Sequence, residues 1–164
     1  MKVILVRHAV AHERNRARWP NDALRPLTPA GKRRFRTAAR GLAQVLPRSA
    51  ALLSSPFVRA RDTAALLAEA LGRKKIIECG ELASGQPAHQ VFEILGARKD
   101  KSVILVGHEP NLSTLLSACL NERARLKIDF RKGGAACVEF GSRIEPGRAT
   151  LCWVLPPRVL RALR

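Results

Sequence analysis

Three short runs of residues that are apolar at every position most constrain the fold of this chain. They cover residues 3–6, 50–53 and 103–106. A continuous apolar run of this length is typical of a strand that is buried on both faces, as in a parallel sheet. Parallel neighbours need crossover connections, which are usually helical. The runs therefore predict an α/β fold, with a mostly parallel central sheet flanked by helices on both faces.

Amphipathic stripes at helical spacing separate these runs. After Thr28 and Pro29, a suitable N-cap and first helical residue, apolar side chains recur at helical spacing as far as Leu46. Similar stripes predict helices at residues 60–71 and 112–119. Weaker signals predict a strand at residues 76–77, a short helix at 87–97, late strands at 136–140 and 150–155, and a long loop at 12–26.

Length and composition indicate one domain that covers residues 1–164. A chain of 164 residues, 46% of them hydrophobic, is long enough to bury a single core, and no stretch has the composition of a linker. No apolar run approaches the ~20 residues of a membrane-spanning helix. The run at residues 3–6 is too short for the core of a signal peptide. We therefore expect a cytoplasmic protein that does not contact membranes.

The four cysteines lie in apolar surroundings and form no CxxC pair. They are Cys79, Cys119, Cys137 and Cys152. This pattern favours buried, reduced thiols over disulfides or a zinc site.

The charge of the chain indicates an anionic partner without identifying it. Thirty Lys and Arg against thirteen Asp and Glu give a formal net charge of +17. The excess of arginine can equally reflect the compositional habit of the source organism. Only 4% of residues are aromatic and none is Tyr, which disfavours a nucleic-acid platform built on base stacking. The sequence leaves the oligomeric state open.

Two segments of the chain resemble each other and carry its most informative residues. VILVRHA at residues 3–9 and VILVGHE at residues 103–109 each place a histidine just after a predicted buried strand. Ligands of open α/β sheets bind beyond the carboxyl ends of the strands. His8 and His108 are therefore expected to face one crevice.

Two arginines add a binding site for an anion at the same edge. In the segment at residues 54–60, a strand ends, Pro56 breaks it, and Arg59 opens the next helix. Backbone N–H groups and a guanidinium at a helix N-terminus suit a phosphate. Arg7 supplies a second guanidinium directly beside His8.

Phosphoryl transfer suits these four residues better than its rivals. A metal site built from the histidines with Glu13 or Glu109 is disfavoured because Arg7 and Arg59 repel a divalent cation. A serine hydrolase is disfavoured because the GxSxG motif is absent. A neutral imidazole can attack phosphorus while the guanidiniums and His108 hold the phosphoryl oxygens. Such a reaction requires neither a metal ion nor another cofactor.

These motifs resemble the histidine phosphatase superfamily. Its signature is an RHG motif, an SPxxRAxxT motif and a late GH, which are matched here at residues 7–9, 55–63 and 107–108. The stretch at residues 25–31 is most similar to the RPLTxxG stretch of the short bacterial SixA phosphohistidine phosphatases. The resemblance implies a phosphoglycerate mutase-like fold. It also implies that His8 is the phosphate-accepting nucleophile and that Arg7, Arg59 and His108 form the phosphate pocket.

Other positions depart from the family pattern or have more than one interpretation. Ala9 stands where the superfamily usually has Gly, and we expect this to cost little. Glu81 lies in the stretch where many members carry a general acid, although it is equally well explained as a surface residue, and Glu109 or Glu13 can instead orient the histidines. Arg25 either reaches the substrate phosphate or faces water.

The short spacing between Arg59 and His108 predicts an open site. Residues 60–107 must supply helices and strands, which leaves little chain for a lid. We therefore expect the substrate to be phosphohistidine on a protein such as a phosphotransfer or phosphorelay domain. A basic rim would attract it, made of Arg14, Arg16, Arg18, Arg33 and Arg36. The alternatives are a small-molecule phosphomonoesterase, a polyphosphate-related phosphatase, or an inactive protein that binds a polyanion or nucleic acid.

Overall fold

The computed structural model describes residues 1–73, 75–121, 123 and 126–163. These residues form six strands and five α-helices, and the last helix is one that the sequence pattern did not predict. In chain order they are β1 (Lys2–Arg7), α1 (Pro29–Val45), β2 (Ala51–Ser54), α2 (Val58–Ala70), β3 (Ile77–Glu78), α3 (Ala88–Gly96), β4 (Ser102–Gly107), α4 (Asn111–Leu120), β5 (Ala135–Phe140), β6 (Ala149–Leu155) and α5 (Pro157–Ala162). Most boundaries lie within a residue or two of those expected from the apolar pattern.

All six strands belong to one mixed sheet with the order β3-β2-β4-β1-β5-β6. The strands β1 to β4 are parallel, whereas β5 pairs antiparallel with β1 and with β6. The α/β architecture is confirmed, and the late hairpin makes the sheet mixed. The carboxyl ends of β1, β2 and β4, the start of β5 and the end of β6 therefore lie at the same edge.

The central strands are buried on both faces, as their continuous apolar runs indicate. Successive side chains of β1 point to opposite faces of the sheet. Val3 and Ile4 are both fully buried, and they belong to two different hydrophobic clusters. One cluster includes residues of α1, α2 and α5, and the other includes residues of α3 and α4. Helices therefore cover both faces of the sheet.

The N-terminus of α1 is fixed against the chain that follows β1. Thr28 caps the helix by accepting a hydrogen bond from Gly31 N–H at 2.9 Å, and Pro29 is the first helical residue, as expected. A Cβ on Gly31 would lie only 2.1 Å from the Val10 carbonyl oxygen. Thr28 N–H donates to the same oxygen. The loop at residues 12–26 therefore leaves from and returns to the edge at which β1 ends.

The expectation of four buried thiols is wrong at one position. All four cysteines are free, and Cys79, Cys119 and Cys137 are buried, but Cys152 is exposed. Cys152 lies on β6, which pairs with only one neighbouring strand in the sheet. An edge strand that helices cover incompletely can carry an apolar sequence and still present side chains to solvent.

Candidate active site

Three parallel strands end side by side, and each is followed by a polar residue that the sequence singles out. The N–H of His8 donates to the carbonyl of Gly107, and the N–H of Ser55 donates to that of Val106, both at 3.0 Å. These bonds continue the strand ladder one residue beyond its end. The ring centroids of His8 and His108 lie 5.1 Å apart. The structure thus brings the two histidines together at the carboxyl edge of the sheet.

The hydrogen bonding of His8 determines which of its nitrogens carries the hydrogen. Nδ1 lies 2.7 Å from the carbonyl oxygen of Ala9, which can only accept, so Nδ1 carries the hydrogen. Burial lowers the pKa of His8 to about 3; the bond to Ala9 opposes this shift, and the charges of Arg59, Arg7 and Lys132 add to it. The ring is therefore neutral near pH 7, and its Nε2 holds a lone pair.

His108 is held by Ser55 and Phe57. Its Nε2 lies 2.8 Å from Ser55 Oγ, and its ring centroid lies 5.0 Å from that of Phe57. Ser55 Oγ also accepts from Phe57 N–H, and donation of its own hydrogen to Nε2 would place the hydrogen of the neutral His108 ring on Nδ1. Burial lowers the pKa of His108 to about 3, and His8 and Arg59 add to the shift. This ring is also neutral.

The two neutral histidines predict a pH-dependent stability. Both have a folded-state pKa below the ordinary value, so the unfolded chain binds more protons as the pH falls below about 6.5. The free energy of unfolding should therefore fall by about 2–3 kcal/mol between pH 7.5 and 5.5, and lose nothing from these groups at higher pH. Urea unfolding in phosphate-free buffer measures this loss. In the His8→Asn variant the loss should be about half as large, and an equal loss in both proteins would contradict a buried neutral His8.

Arg59 lies in the first turn of α2, and its guanidinium contacts both Asp22 and the ring of Phe57. Its Nη2 lies 3.1 Å from Asp22 Oδ2, its Nη1 donates to the Asp22 carbonyl at 2.8 Å, and its guanidinium lies 4.9 Å from the Phe57 ring centroid. Thr63 Oγ1 donates to the Arg59 carbonyl and accepts from Ala9 N–H. The SPxxRAxxT segment therefore connects directly to the segment that follows β1.

Asp22 is a site residue that the sequence analysis did not identify. Besides Arg59, it accepts a hydrogen bond from Arg25 Nε at 2.8 Å and lies 3.5 Å from Arg14 Nε. The hydrogen bond from Arg25, with the charges of Arg59 and Arg14, lowers the pKa of Asp22 to about 2 against the opposing effect of burial. A sequence signal existed, since Asp22 is the only acidic residue between Glu13 and Asp62.

Arg7 is anchored at the end of β1 by the chain that leads into β5. Its Nη1 donates to the carbonyl of Phe130 at 2.6 Å, and the backbone N–H of Arg7 donates to the carbonyl of Gly134 at 3.1 Å. Burial lowers the pKa of the guanidinium, and the carboxylates of Glu109 and Asp129 oppose that shift. These bonds hold the guanidinium beside His8.

Three buried nitrogens of this site have no hydrogen-bond partner within the described part of the chain. They are Nε of Arg7, Nε of Arg59 and Nδ1 of His108. Buried donors are nearly always paired in folded proteins, so a group of such nitrogens can bind oxygen acceptors that water or a ligand supplies. An anion with several oxygen atoms, such as a phosphoryl group, has the matching chemistry.

Comparison with known proteins identifies the family. The model of the histidine phosphatase superfamily, branch 1, matches residues 3–84, half of the chain. The chain belongs to the histidine phosphatase superfamily. An uncharacterized protein of Picosynechococcus sp. is 30% identical over 145 residues, with 87% of each chain covered.

Solved structures place this histidine phosphatase near the SixA proteins. The protein histidine phosphatase SixA, complexed with tungstate, is 25% identical, with a TM-score of 0.82 over 98% of this chain and 99% of that one. A protein from Agrobacterium tumefaciens described as a SixA phosphohistidine phosphatase is 27% identical, with a TM-score of 0.77 over 95% and 97% of the two chains. The fold and the likeness to SixA expected from the motifs are confirmed, and the protein is a phosphatase of this superfamily.

Arg25 and Glu81 have defined contacts in the histidine phosphatase, and their roles in the reaction stay predictions. Arg25 is buried, bonds to Asp22 and donates from Nη1 to the carbonyl of His12. Glu81 is half-buried and accepts a hydrogen bond from the Cys79 thiol at 3.2 Å. Arg25 thus shares its carboxylate partner with Arg59.

Three other positions, Glu109, Glu13 and Ala9, lie in environments that differ from one another. Glu109 accepts hydrogen bonds from both N–H and Oγ of Ser113, which satisfies the first turn of α4. Glu13 is exposed. Ala9 is buried, and no described residue other than glycine has a positive φ, so this position does not need the glycine of the family motif.

Among the described residues, no three His, Cys, Asp or Glu side chains are grouped so as to hold a metal ion. The described helices are too short or too polar to cross a bilayer.

Proposed function

We propose that this phosphatase removes the phosphoryl group from phosphohistidine on a protein through a covalent intermediate on His8. The observation that carries the proposal is the state of His8: its Nδ1 hydrogen is bound to Ala9, and no described residue hydrogen-bonds to Nε2. A neutral imidazole in this tautomer presents a nucleophilic nitrogen beside two guanidiniums. Arg7, Arg59 and His108, which lie at the same edge of the sheet, each have a buried nitrogen without a hydrogen-bond partner among the described residues.

In the first step, the Nε2 lone pair of His8 attacks the phosphorus atom in line with the bond that breaks. The substrate P–N bond breaks, and the departing imidazole nitrogen takes a proton from solvent water. Arg7, Arg59 and Nδ1–H of His108 hold the equatorial oxygens as their charge redistributes. Water then attacks the phosphorylated His8 and releases inorganic phosphate.

The leaving group explains why a strong protein acid is not essential. A phosphorylated imidazole leaves readily once it is protonated. Glu81 is our candidate for a supplementary acid, although its carboxylate is occupied by Cys79. No step of the proposed reaction uses a metal ion, because the guanidiniums of Arg7 and Arg59 supply the positive charge that stabilises the phosphoryl oxygens.

The architecture around the site favours a substrate that another protein presents. Between Arg59 and His108 the chain consists of most of α2, then β3, α3 and β4, with short connections. The longest connection described in this stretch, residues 79–87, contains a 3-10 turn at Gly80–Leu82, so little of the described chain between Arg59 and His108 remains for a lid. The exposed Arg14, Arg16 and Arg18 belong to the loop that leaves from and returns to this edge, and the exposed Arg33 lies near the start of α1, which begins there.

A substrate panel tests the proposal. We expect inorganic phosphate to be released from a histidine-phosphorylated phosphotransfer domain with a kcat/KM at least about tenfold above that for p-nitrophenyl phosphate or phosphoserine. Release from the protein substrate should slow as salt rises from 50 to 300 mM, because salt screens the attraction to the basic rim.

Other outcomes select the alternatives. Preference for a small phosphoester or for polyphosphate would make the protein a phosphomonoesterase or a polyphosphate-related phosphatase. DNA binding that survives 200 mM salt, without phosphate release from any substrate, would indicate an inactive polyanion-binding protein.

A further inference from the structure

A groove of about 620 Å³ lies beside the phosphate site, where β5 begins, β6 ends and α5 starts. We call it the β6–α5 groove and define it by Phe130, Arg131, Val154, Pro157, Arg158 and Arg161. Because β5 and β6 are antiparallel to each other and β5 is antiparallel to β1, this end of the hairpin lies at the carboxyl edge of the sheet. The groove and the active site therefore open at the same edge.

One chain segment forms a wall of both the groove and the phosphate site. Phe130 lines the groove with its neighbour Arg131, and its carbonyl accepts the hydrogen bond from Arg7. Gly133, at a φ of 76° that favours glycine, donates its N–H to the carbonyl of His8. A molecule seated in the groove would therefore contact the same segment that anchors Arg7 and His8.

The groove combines apolar and cationic surface. Val154 is 41% exposed, and Pro157 adds a second apolar side chain. Arg158 is exposed and Arg161 half-buried, and neither forms an ion pair with a described residue, whereas Arg131 pairs with Asp129. Arginine is, with Trp and Tyr, one of the residues enriched among those that contribute most to the binding energy of protein interfaces.

These observations specify the chemistry of the occupant. Two guanidiniums without an ion-pair partner are complementary to an anionic group, and the apolar wall is complementary to apolar side chains. The one aromatic ring of the groove, Phe130, is only 3% exposed, which disfavours the stacking of nucleic-acid bases. An acidic protein segment with one or two apolar side chains fits both requirements.

We propose that the β6–α5 groove docks an acidic, partly apolar segment of the phosphorylated substrate protein and so places its phosphohistidine beside His8. This inference rests on the proposed function. It assigns substrate selection to Arg158 and Arg161, which lie outside the phosphate pocket. The docking surface therefore contributes to reaction with a phosphoprotein and contributes nothing to reaction with a small phosphoester.

Charge reversal in the groove tests the proposal. In the Arg158→Glu/Arg161→Glu variant at 150 mM salt, kcat/KM for a histidine-phosphorylated phosphotransfer domain should fall at least about tenfold. Activity toward p-nitrophenyl phosphate should stay within about twofold of wild type, which also shows that the variant is folded. The single variant Arg158→Glu, at an exposed residue, should show a smaller loss of the same kind.

A matched control separates local docking from overall charge. Arg48 and Lys101 are exposed and lie at the amino ends of β2 and β4, on the opposite edge of the sheet. The Arg48→Glu/Lys101→Glu variant has the same net charge as the groove variant and should keep activity toward the phosphoprotein within about twofold of wild type.

The remaining outcomes overturn the proposal in distinguishable ways. Equal losses in the groove and control variants would show that only net charge matters. Equal losses toward both substrates in the groove variants would show that the groove supports catalysis or folding instead of docking. Unchanged activity toward the phosphoprotein would show that the groove does not bind it. If the wild-type protein releases no phosphate from phosphohistidine, the proposed function fails, and the docking role fails with it.

Discussion

Replacing His8 by alanine is expected to lower kcat for every phosphorylated substrate by about 10⁴-fold or more, because the variant has no nitrogen to accept the phosphoryl group. Arg7, Arg59 and His108 stay in place, so the variant should still bind inorganic phosphate or tungstate. Loss of turnover with retained anion binding separates a missing nucleophile from a damaged pocket. Steady-state kinetics and calorimetric titration measure the two quantities.

Trapping the covalent intermediate tests the same prediction directly. Wild-type protein mixed with a ³²P-labelled substrate and quenched in base should carry phosphate that is stable to base and labile to acid, as expected for phosphohistidine. His8→Ala should carry none. His89→Ala is the matched control, because His89 is an exposed histidine on α3, outside the site. Turnover by His8→Ala within about tenfold of the wild-type rate would mean that another group is the nucleophile.

The central part of the fold could be predicted from the sequence because burial on both faces leaves a strong signal. A strand such as β4, in which all six residues are buried, appears as a continuous apolar run. Once such strands are parallel, their carboxyl ends share one edge, and the residues that follow them must be neighbours. The closeness of His8 and His108 follows from that geometry alone.

Features that depend on the path of loops could not be predicted in the same way. Arg59 and Asp22 are separated by 37 positions, and their contact depends on how the loop at residues 12–26 returns to the sheet. Arg131 and Arg158 line one groove only because β5 and β6 form an antiparallel hairpin. Local patterns specify the two strands of that hairpin, whereas its place in the sheet is a property of the tertiary packing.

The edge strand shows a second limit of sequence patterns. The sequence of β6 is largely apolar, yet Leu151, Cys152 and Val154 are exposed. Hydrophobic character predicts a strand here, and it does not report whether a helix covers that strand. The exposed face of β6 became apparent only from the sheet order, and one of its residues lines the β6–α5 groove.

Replacing Arg59 by alanine should lower kcat/KM by about 10³-fold or more, because the phosphoryl group loses a charged donor that is already positioned. Arg61→Ala is the matched control, since Arg61 is an exposed arginine two positions further along the same helix. Lysine at position 59 should restore only part of the activity, because an ammonium group cannot reproduce the two bonds that the guanidinium makes to Asp22.

A double variant shows whether this loss comes from the missing cation or from an unbalanced anion. In Arg59→Ala the carboxylate of Asp22 loses one of its ion-pair partners and would repel the phosphoryl group. If repulsion were the main cause, Arg59→Ala/Asp22→Asn would regain most of the activity. We expect it to regain no more than about tenfold, because removing the repulsion does not replace the lost donor. Near wild-type activity in both Arg59→Ala and Arg7→Ala would show that the phosphate is bound elsewhere.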